Sequence, residues 1–255
     1  MQKPVCLVIG AGAGIGGTVG KKFAGNGYHA VLCRRSDQEG LDRLVNGIHA
    51  SGGDATGFML NAIEDDAIES LVEKVEAEIG PIQVVLYNLG AQIGDRSLDD
   101  TTHKAFEMGW RLATFGLFRL AKSAFPLMEK RGGGTLLVTS ATAAVRGNAG
   151  QHSHAAAMGG RRMLCQSLNA QYAPLGIHVV HILVDGSVDA PDTLGRMLGP
   201  DAFEKLRETK GADDGLLLPD KMAETYYHLA TQHRSAWTHE LDLRAYSDTA
   251  WWNHA

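Results

Sequence analysis

The sequence predicts an α/β fold in which a doubly wound parallel sheet lies between two layers of helices, giving three layers in a single domain. Two patterns predict this fold. Short apolar runs alternate with helical stretches along the chain, and most runs are apolar at nearly every position, as in Val5–Ile9. Strands of that kind are buried on both faces, which a parallel sheet between two helical layers requires.

The strands and helices follow in order along the chain. Predicted strands cover residues 5–9, 29–33, 55–60, 84–88, 134–139, 177–184 and 240–243, and predicted helices include 18–25, 65–79, 102–130 and 154–173. Residues 185–218 are rich in Gly, Pro and Asp, and we interpret them as a substrate loop or lid over the site. Neither an internal repeat nor a linker divides residues 1–255 into separate domains.

Composition excludes several classes of function. The chain has 255 residues, 44% of them hydrophobic, with a net charge of -5, which argues against disorder and against nucleic-acid binding. The sequence has no apolar run of the roughly 18 residues needed to span a membrane, and its start does not resemble a secretory signal. We therefore expect a cytoplasmic protein with reduced cysteines and a small-molecule substrate.

A glycine-rich turn, Gly10-Ala-Gly-Ala-Gly-Ile-Gly-Gly17, follows the first strand and precedes a helix. Glycines allow a cofactor pyrophosphate to approach the backbone at the positive end of the helix, as in Rossmann-type folds. Two spacings fit, one through Gly10, Gly14 and Gly16 and one through Gly12, Gly14 and Gly17. We prefer the first because the strand ends at Ile9. The predicted cofactor contacts in this turn are Gly10, Gly12, Ala13, Gly14, Ile15 and Gly16.

The second strand ends at Arg34-Arg35 and carries no acidic residue there. An acid at this place binds the ribose 2′-hydroxyl of NAD, whereas arginine accommodates a 2′-phosphate. We therefore predict that NADP(H) is preferred over NAD(H). The alternative is that the two arginines simply form a solvated, basic strand end.

Further landmarks lie along most of the chain: Tyr87-Asn88-Leu89-Gly90, Gly116 and Pro126, the loop 147–151, Gly176-Ile177-His178-Val179, and Asp185-Gly186-Ser187-Val188. Together with the glycine turn they resemble the short-chain dehydrogenase/reductase family over nearly the whole chain. The resemblance implies an NAD(P)-dependent oxidoreductase. It also places Asn61, Ala62, Asn88, Gly90 and Val188 at the cofactor. Ala13 departs from many NADP-preferring members, which carry a basic residue there.

The same resemblance places substitutions at all four of the family's catalytic positions. The tyrosine position is His154, the lysine position is Met158, the serine position is Ala141, and the asparagine position is Ala113. Since Met158 and Ala141 can neither carry charge nor donate a hydrogen bond, the family's mechanism cannot be transferred unchanged.

Three other polar residues could take part in catalysis. His154 can donate a proton near neutral pH, although its reach is shorter than that of tyrosine. Thr142 could replace the lost serine, but both it and Ser140 are expected to point to the other face of a regular strand. Asp185 ends a strand where α/β sites form. The alternatives are a polar residue at a helix start for His154 and a turn-forming aspartate for Asp185.

The acidity of the reduced product indicates which acceptor substrates can be reduced without a strong proton donor in the site. Ketone reduction forms an alkoxide, whose conjugate acid has a pKa near that of water, about 15.7. Quinone reduction forms a phenolate, whose conjugate acid has a pKa of roughly 10. The difference is worth roughly 8 kcal/mol. We therefore expect an NADPH-dependent oxidoreductase acting on an activated acceptor such as a quinone. The alternative is a catalytically inactive NADP(H)-binding sensor or structural protein.

Metal binding is not expected, because His152 and His154 lack a third ligand, and His178 and His181 should face opposite sides of their strand.

The chain is expected to form a homo-oligomer, with a homotetramer favoured over a homodimer. Residues 102–130 hold more apolar surface than one sheet-facing stripe needs, and the stretch from Trp237 to Trp252 carries four aromatic residues. The alternative is that the terminal aromatic residues fold back over the chain's own site.

Overall fold

Seven strands form one sheet in the order β3-β2-β1-β4-β5-β6-β7. The structure is a computed structural model and describes residues 2–90 and 97–253. Every neighbouring pair of strands is parallel, so the predicted doubly wound parallel sheet is confirmed. The strands are β1 Val5–Ile9, β2 His29–Arg34, β3 Asp54–Met59, β4 Ile82–Tyr87, β5 Gly134–Ala141, β6 Ile177–Asp185 and β7 Glu240–Arg244.

Helices connect the strands and cover both faces of the sheet. In the described ranges they are α1 Ile15–Ala24, α2 Gln38–Ala50, α3 Ala67–Glu78, α4 His103–Trp110, α5 Gly116–Lys130, α6 His152–Tyr172, α7 Arg196–Leu198, α8 Pro200–Gly211 and α9 Pro219–Ala230. A π-helical turn, Arg111–Phe115, joins α4 to α5 in one continuous helical segment. None of these helices is long and apolar enough to span a bilayer.

The core lies in two layers, one on each face of the sheet. One layer packs α3, α5 and α6 against the sheet, and the other packs α1, α2 and α9. Side chains alternate between the layers along each strand, so Leu7 lies in the first and Val8 in the second. Both faces are therefore apolar, which explains the continuous hydrophobic runs in the sequence.

Several elements differ in extent from the sequence-based prediction. β5 runs to Ala141, which lies opposite Val184 of β6, and β6 runs to Asp185, which lies opposite Arg244 of β7. The helices α2 and α9 were not singled out from the sequence. α2 begins after Asp37, whose carboxylate accepts the backbone N–H of Gly40 at 2.9 Å and so caps the helix.

The strand order reverses between β1 and β4, which places a crevice at the carboxyl ends of these two strands. Ile9 and Tyr87, the last residues of the two strands, are paired neighbours. The glycine turn and Asn88 therefore begin side by side. Ligands of open α/β sheets bind at this kind of switch point.

Candidate functional site

The glycine turn is shaped by close backbone packing. Gly10 adopts a φ of +101°, and a Cβ on it would lie 3.0 Å from the carbonyl carbon and oxygen of Asn88. The side-chain amide of Asn88 donates to the Gly10 carbonyl oxygen at 2.9 Å. Only glycine takes this left-handed conformation without strain, so Asn88 and Gly10 together fix the start of the turn.

The start of α1 packs onto the same turn. A Cβ on Gly16 would lie 2.2 Å from the Gly10 carbonyl oxygen, and a Cβ on Gly17 would lie 2.5 Å from that of Gly12. Both glycine spacings found in the sequence therefore have a structural role. A Cβ on Gly12 would meet nothing within 4 Å. This part of the turn is open to a ligand.

Arg34 and the backbone N–H of Ala13 together bind a carboxylate. The Arg34 guanidinium lies 3.0 Å from the Asp37 carboxylate and 3.2 Å from that of Asp192. The same Asp192 oxygen accepts the backbone N–H of Ala13 at 3.2 Å. The Asp192 carboxylate oxygen thus has two donors, one from the backbone and one from a guanidinium. Arg35, the second predicted arginine, is exposed.

A buried polar acceptor lies at Asn61, one of the predicted cofactor contacts. The Asn61 amide nitrogen donates to Glu64 at 2.8 Å, and the buried Asn61 Oδ1 has no hydrogen-bond partner within the described part of the chain. Buried acceptors of this kind usually have a partner. An adenine amino group would supply one. Ala62, also predicted at the cofactor, is buried beside Asn61.

Small and apolar side chains occupy two of the positions that the family resemblance marks as catalytic. Ala113 and Met158 are buried in one cluster with Ala143 and Ala157. Ser140 faces this cluster, with its hydroxyl 3.8 Å from the sulfur of Met158. The cluster therefore supplies no ionisable group.

His154 and Thr142 lie on neighbouring elements at the edge of this cluster. His154 is buried in the first turn of α6. Thr142 begins a 3-10 turn directly after β5 and is partly exposed. Both residues are therefore still candidates for a catalytic role, which their positions alone do not assign.

Arg161 is a site residue that the sequence analysis missed. Its side chain is buried, and its guanidinium donates to the carbonyl oxygens of Ala113 at 2.8 Å, Thr139 at 2.5 Å and Leu89 at 2.6 Å. It also lies over the Tyr87 ring, 5.3 Å from the centroid. Burial lowers the pKa of the guanidinium. Arg161 lies on the α6 stripe of His154, Met158 and Cys165, and an arginine on an otherwise buried stripe was the available signal.

Asp185 holds the C-terminal segment. Its carboxylate accepts the backbone N–H of Trp251 at 3.0 Å and lies 3.3 Å from the Arg244 guanidinium. The Trp251 indole N–H donates to Asp242 at 3.1 Å, and the Arg146 guanidinium donates to the Trp251 carbonyl oxygen at 2.9 Å. The tail therefore folds back onto the carboxyl ends of β6 and β7. Burial and the nearby Asp185 raise the pKa of Asp242.

The segment predicted as a lid begins directly after Asp185. Val188 forms an isolated parallel bridge with Leu217, and the Leu217 backbone N–H donates to the Ser187 carbonyl oxygen at 2.9 Å. The Arg207 guanidinium lies 2.8 Å from Asp189. The two ends of the segment are thus held together, and α7 and α8 lie between them.

The cysteines and the two histidines of β6, both noted in the sequence, are buried within the fold. The three cysteines are free and buried, and burial raises the pKa of Cys165 to about 12. His181 lies 2.9 Å from Glu240, whereas His178 bonds the Thr238 carbonyl oxygen and stacks on Trp237. Within residues 2–90 and 97–253, no three potential metal ligands come together.

Comparisons with known proteins agree with this geometry. The chain is 29% identical over 233 residues to the short-chain reductase protein NovJ of Streptomyces niveus, covering 90% of this chain and 87% of the relative. It is 28% identical over 192 residues to the 3-oxoacyl-acyl-carrier-protein reductase FabG of Escherichia coli (strain K12), covering 74% and 75%. The crystal structure of a short-chain dehydrogenase from Rhodopseudomonas palustris superposes with a TM-score of 0.79 at 30% identity, covering 95% of this chain and 99% of that one.

A sequence model of the family described as short chain dehydrogenase matches residues 4–191. This match spans the glycine turn, the crevice and the apolar cluster at Ala113 and Met158. The chain belongs to the short-chain dehydrogenase family.

Proposed function

We propose that the protein is an NADPH-dependent oxidoreductase that reduces an activated acceptor, such as a quinone, at a site without the family's usual catalytic side chains. The coarser statement, an NAD(P)H-dependent oxidoreductase, follows from family membership and from relatives that are named reductases. The preference for NADPH, the acceptor and the unusual site are our inference.

The observation that carries the cofactor assignment is the anion-binding pocket at Ala13 and Arg34, which already holds a carboxylate. A backbone N–H and a guanidinium are donors that also suit a phosphate. The open space at Gly12 and the unpartnered acceptor of Asn61 support the same assignment. The residues proposed to hold the dinucleotide are the turn 10–16, Arg34, Arg35, Asn61, Ala62, Asn88, Gly90 and Val188.

The observation that carries the acceptor class is the apolar cluster at Ala113 and Met158. When bound, NADPH would supply a hydride. The acceptor oxygen then takes up a proton, and a more basic oxygen depends more strongly on a proton donor. A phenolate product is less basic than an alkoxide by the difference already estimated, roughly 8 kcal/mol. A quinone therefore tolerates a site where methionine replaces an ionisable lysine and alanine replaces polar residues.

His154 is our candidate for the remaining proton donor, with Thr142 orienting the acceptor. An imidazole can donate a proton near neutral pH. Asp185 is a weaker candidate, because its carboxylate already binds Trp251 and Arg244. We assign Asp185 to holding the tail at the edge of the site.

Steady-state oxidation of NADPH with a panel of quinones and simple ketones tests this proposal. We expect turnover of quinones and at least a hundredfold slower turnover of ketones, since a missing general acid typically removes about 10²–10⁴-fold. His154→Gln should slow ketone reduction further and change quinone reduction less than tenfold. Ketone turnover equal to quinone turnover would contradict the argument about the acid.

The second candidate function is a cofactor-binding protein without turnover. The same apolar cluster at the catalytic positions favours it. Calorimetric binding of NADPH, with no hydride transfer to any acceptor in the panel, would identify this function instead.

A further inference from the structure

The lid segment reaches the cofactor pocket through Asp192. Asp192 Oδ2 accepts the Ala13 backbone N–H at 3.2 Å and lies 3.2 Å from Arg34 Nη2. Its other oxygen lies 3.9 Å from the guanidinium of Arg196, one helical turn later. The side chains of Arg34 and Asp192 are 11% and 27% exposed, so the contact is largely shielded from solvent.

A second contact places the lid backbone on the glycine turn. Ala190 is buried, and its methyl carbon lies 2.8 Å from where a Cβ on Gly14 would be. The lid therefore covers the surface of the turn at Gly14, whereas the turn at Gly12 stays open. A pyrophosphate needs this surface to approach the backbone, so lid and dinucleotide cannot both occupy it.

Arg34 contacts two carboxylates, and they differ in what holds them. The Asp37 carboxylate accepts the backbone N–H of Gly40 and so caps α2. This hydrogen bond, together with the charge of Arg34, lowers the pKa of the Asp37 carboxyl. Asp37 therefore belongs to the fixed part of the fold. Asp192 is held by Ala13, Arg34 and Arg196, and the lid that carries it is anchored at the bridge between Val188 and Leu217. Arg196 of the lid also lies 3.8 Å from Asp37, but of the two carboxylates only that of Asp37 caps a helix, so we expect Asp192 to be the one that leaves.

We propose that Asp192 is an internal competitor for the cofactor's phosphate. In the closed lid its carboxylate occupies the pocket that the 2′-phosphate of NADP(H) would take, and Ala190 covers the glycine turn. Binding of the dinucleotide displaces the carboxylate and lifts the lid from the crevice. This inference rests on the proposed cofactor and makes Asp192 a determinant of apparent cofactor affinity, because closed molecules cannot bind.

The test compares the wild type with Asp192→Asn, which keeps the shape of the side chain and removes its charge. Binding of NADPH and NADH is measured by calorimetry, and hydrogen exchange is followed over residues 190–200. We expect NADPH to bind about tenfold more tightly to the variant, since charge-assisted contacts of this strength hold the lid closed. NADH should gain by a similar factor, because Ala190 covers the glycine turn against both. In the wild type, NADPH should increase exchange over the lid.

Asp201→Asn is the matched control, because Asp201 is an exposed acid in the first turn of α8 on the same segment. It should leave both affinities unchanged, and melting temperatures should show that both variants fold. Equal or weaker NADPH binding by Asp192→Asn, with lid exchange unaffected by the cofactor, would overturn this inference and leave the proposed function standing. If neither protein binds NADPH, the cofactor assignment falls together with this inference.

Discussion

Arg34 and Arg35 are adjacent in sequence, but the fold uses them differently. Arg34 is largely buried between Asp37 and Asp192, and Arg35 is exposed. We predict that the wild type prefers NADPH over NADH at least tenfold, because each charge-assisted contact contributes about 1.5–3 kcal/mol. The double variant Arg34→Ala, Arg35→Ala should lose this preference. Most of the loss should come from Arg34. Dissociation constants for both cofactors provide the measurement.

Arg43→Ala is the control for this pair, since it removes the same charge from the exposed surface of α2, where Arg43 lies 3.9 Å from Glu39. It should leave the ratio of the two affinities unchanged. Similar affinities of the unmodified protein for NADPH and NADH would show that the arginines only form a basic strand end.

At the scale of elements, Arg161 links four segments that meet at the site. Its three acceptors lie after β4, in the π-helical turn and in β5, and Arg161 itself belongs to α6. The wider π-helical turn exposes carbonyl oxygens to the core. Arg161 and the Tyr87 hydroxyl bond two of them, those of Ala113 and Leu112.

Arg161→Met should therefore destabilise the fold by more than about 3 kcal/mol, because each buried acceptor left without a donor costs about 1–3 kcal/mol. Arg161→Lys should recover only part of this loss, since an ammonium cannot reproduce the guanidinium fork. Urea unfolding of both variants is the measurement. A loss below about 1 kcal/mol for Arg161→Met would mean that water replaces the guanidinium, which the burial of the site argues against.

The elements were predictable from sequence to the extent that local patterns specify them. Continuous apolar runs identified the strands, and the glycine spacing located the turn after β1. Arg161 was missed because it lies in a basic pair with Arg162, a pattern typical of a solvated helix face. Asp192 could not be found at all, since its contact with Ala13 spans 179 positions and depends on how the lid folds.

At the scale of the whole molecule, stability should depend on pH through His181. Burial lowers its pKa from 6.5 to about 4, against the opposing effect of Glu240. The unfolded chain therefore binds more protons than the folded chain between these values, and the unfolding free energy falls as pH falls from 6.5 towards 4. At about 1.36 kcal/mol per pH unit, this amounts to roughly 3 kcal/mol.

His181→Gln keeps a donor for Glu240 and should remove this part of the acid sensitivity, as followed by urea unfolding at a series of pH values. His228→Gln, at an exposed position of α9, should leave the pH dependence unchanged. The same slope in His181→Gln and in the wild type would assign the acid sensitivity to other groups.

Assembly is the second property of the whole molecule. Phe106, Trp110 and Phe118 are each about two-fifths exposed on α4 and α5, and patches of this kind usually mark contacts. The tail contributes less than its sequence suggested, because Trp237 stacks on His178 and Trp251 bonds Asp185 and Asp242. We predict a homo-oligomer, a tetramer before a dimer, held through α4 and α5.

Light scattering after size exclusion should give a multiple of 27.3 kDa for the wild type. Phe118→Glu should lower that mass, and Tyr246→Glu, at a position 91% exposed, should not. A wild-type mass of one chain at micromolar concentration would exclude a stable oligomer.

The bridge between Val188 and Leu217 has a consequence for how this chain can change. Because it joins the two ends of the lid, we expect that the intervening residues can change in length without moving β6 or α9. Doubling the length of such a loop costs only about 0.6 kcal/mol in closure entropy. We therefore expect that the lid can be replaced as one segment. We expect that grafting the equivalent segment of a relative between these two residues changes the substrate range, and also changes the cofactor affinity where the graft lacks Asp192 and Ala190.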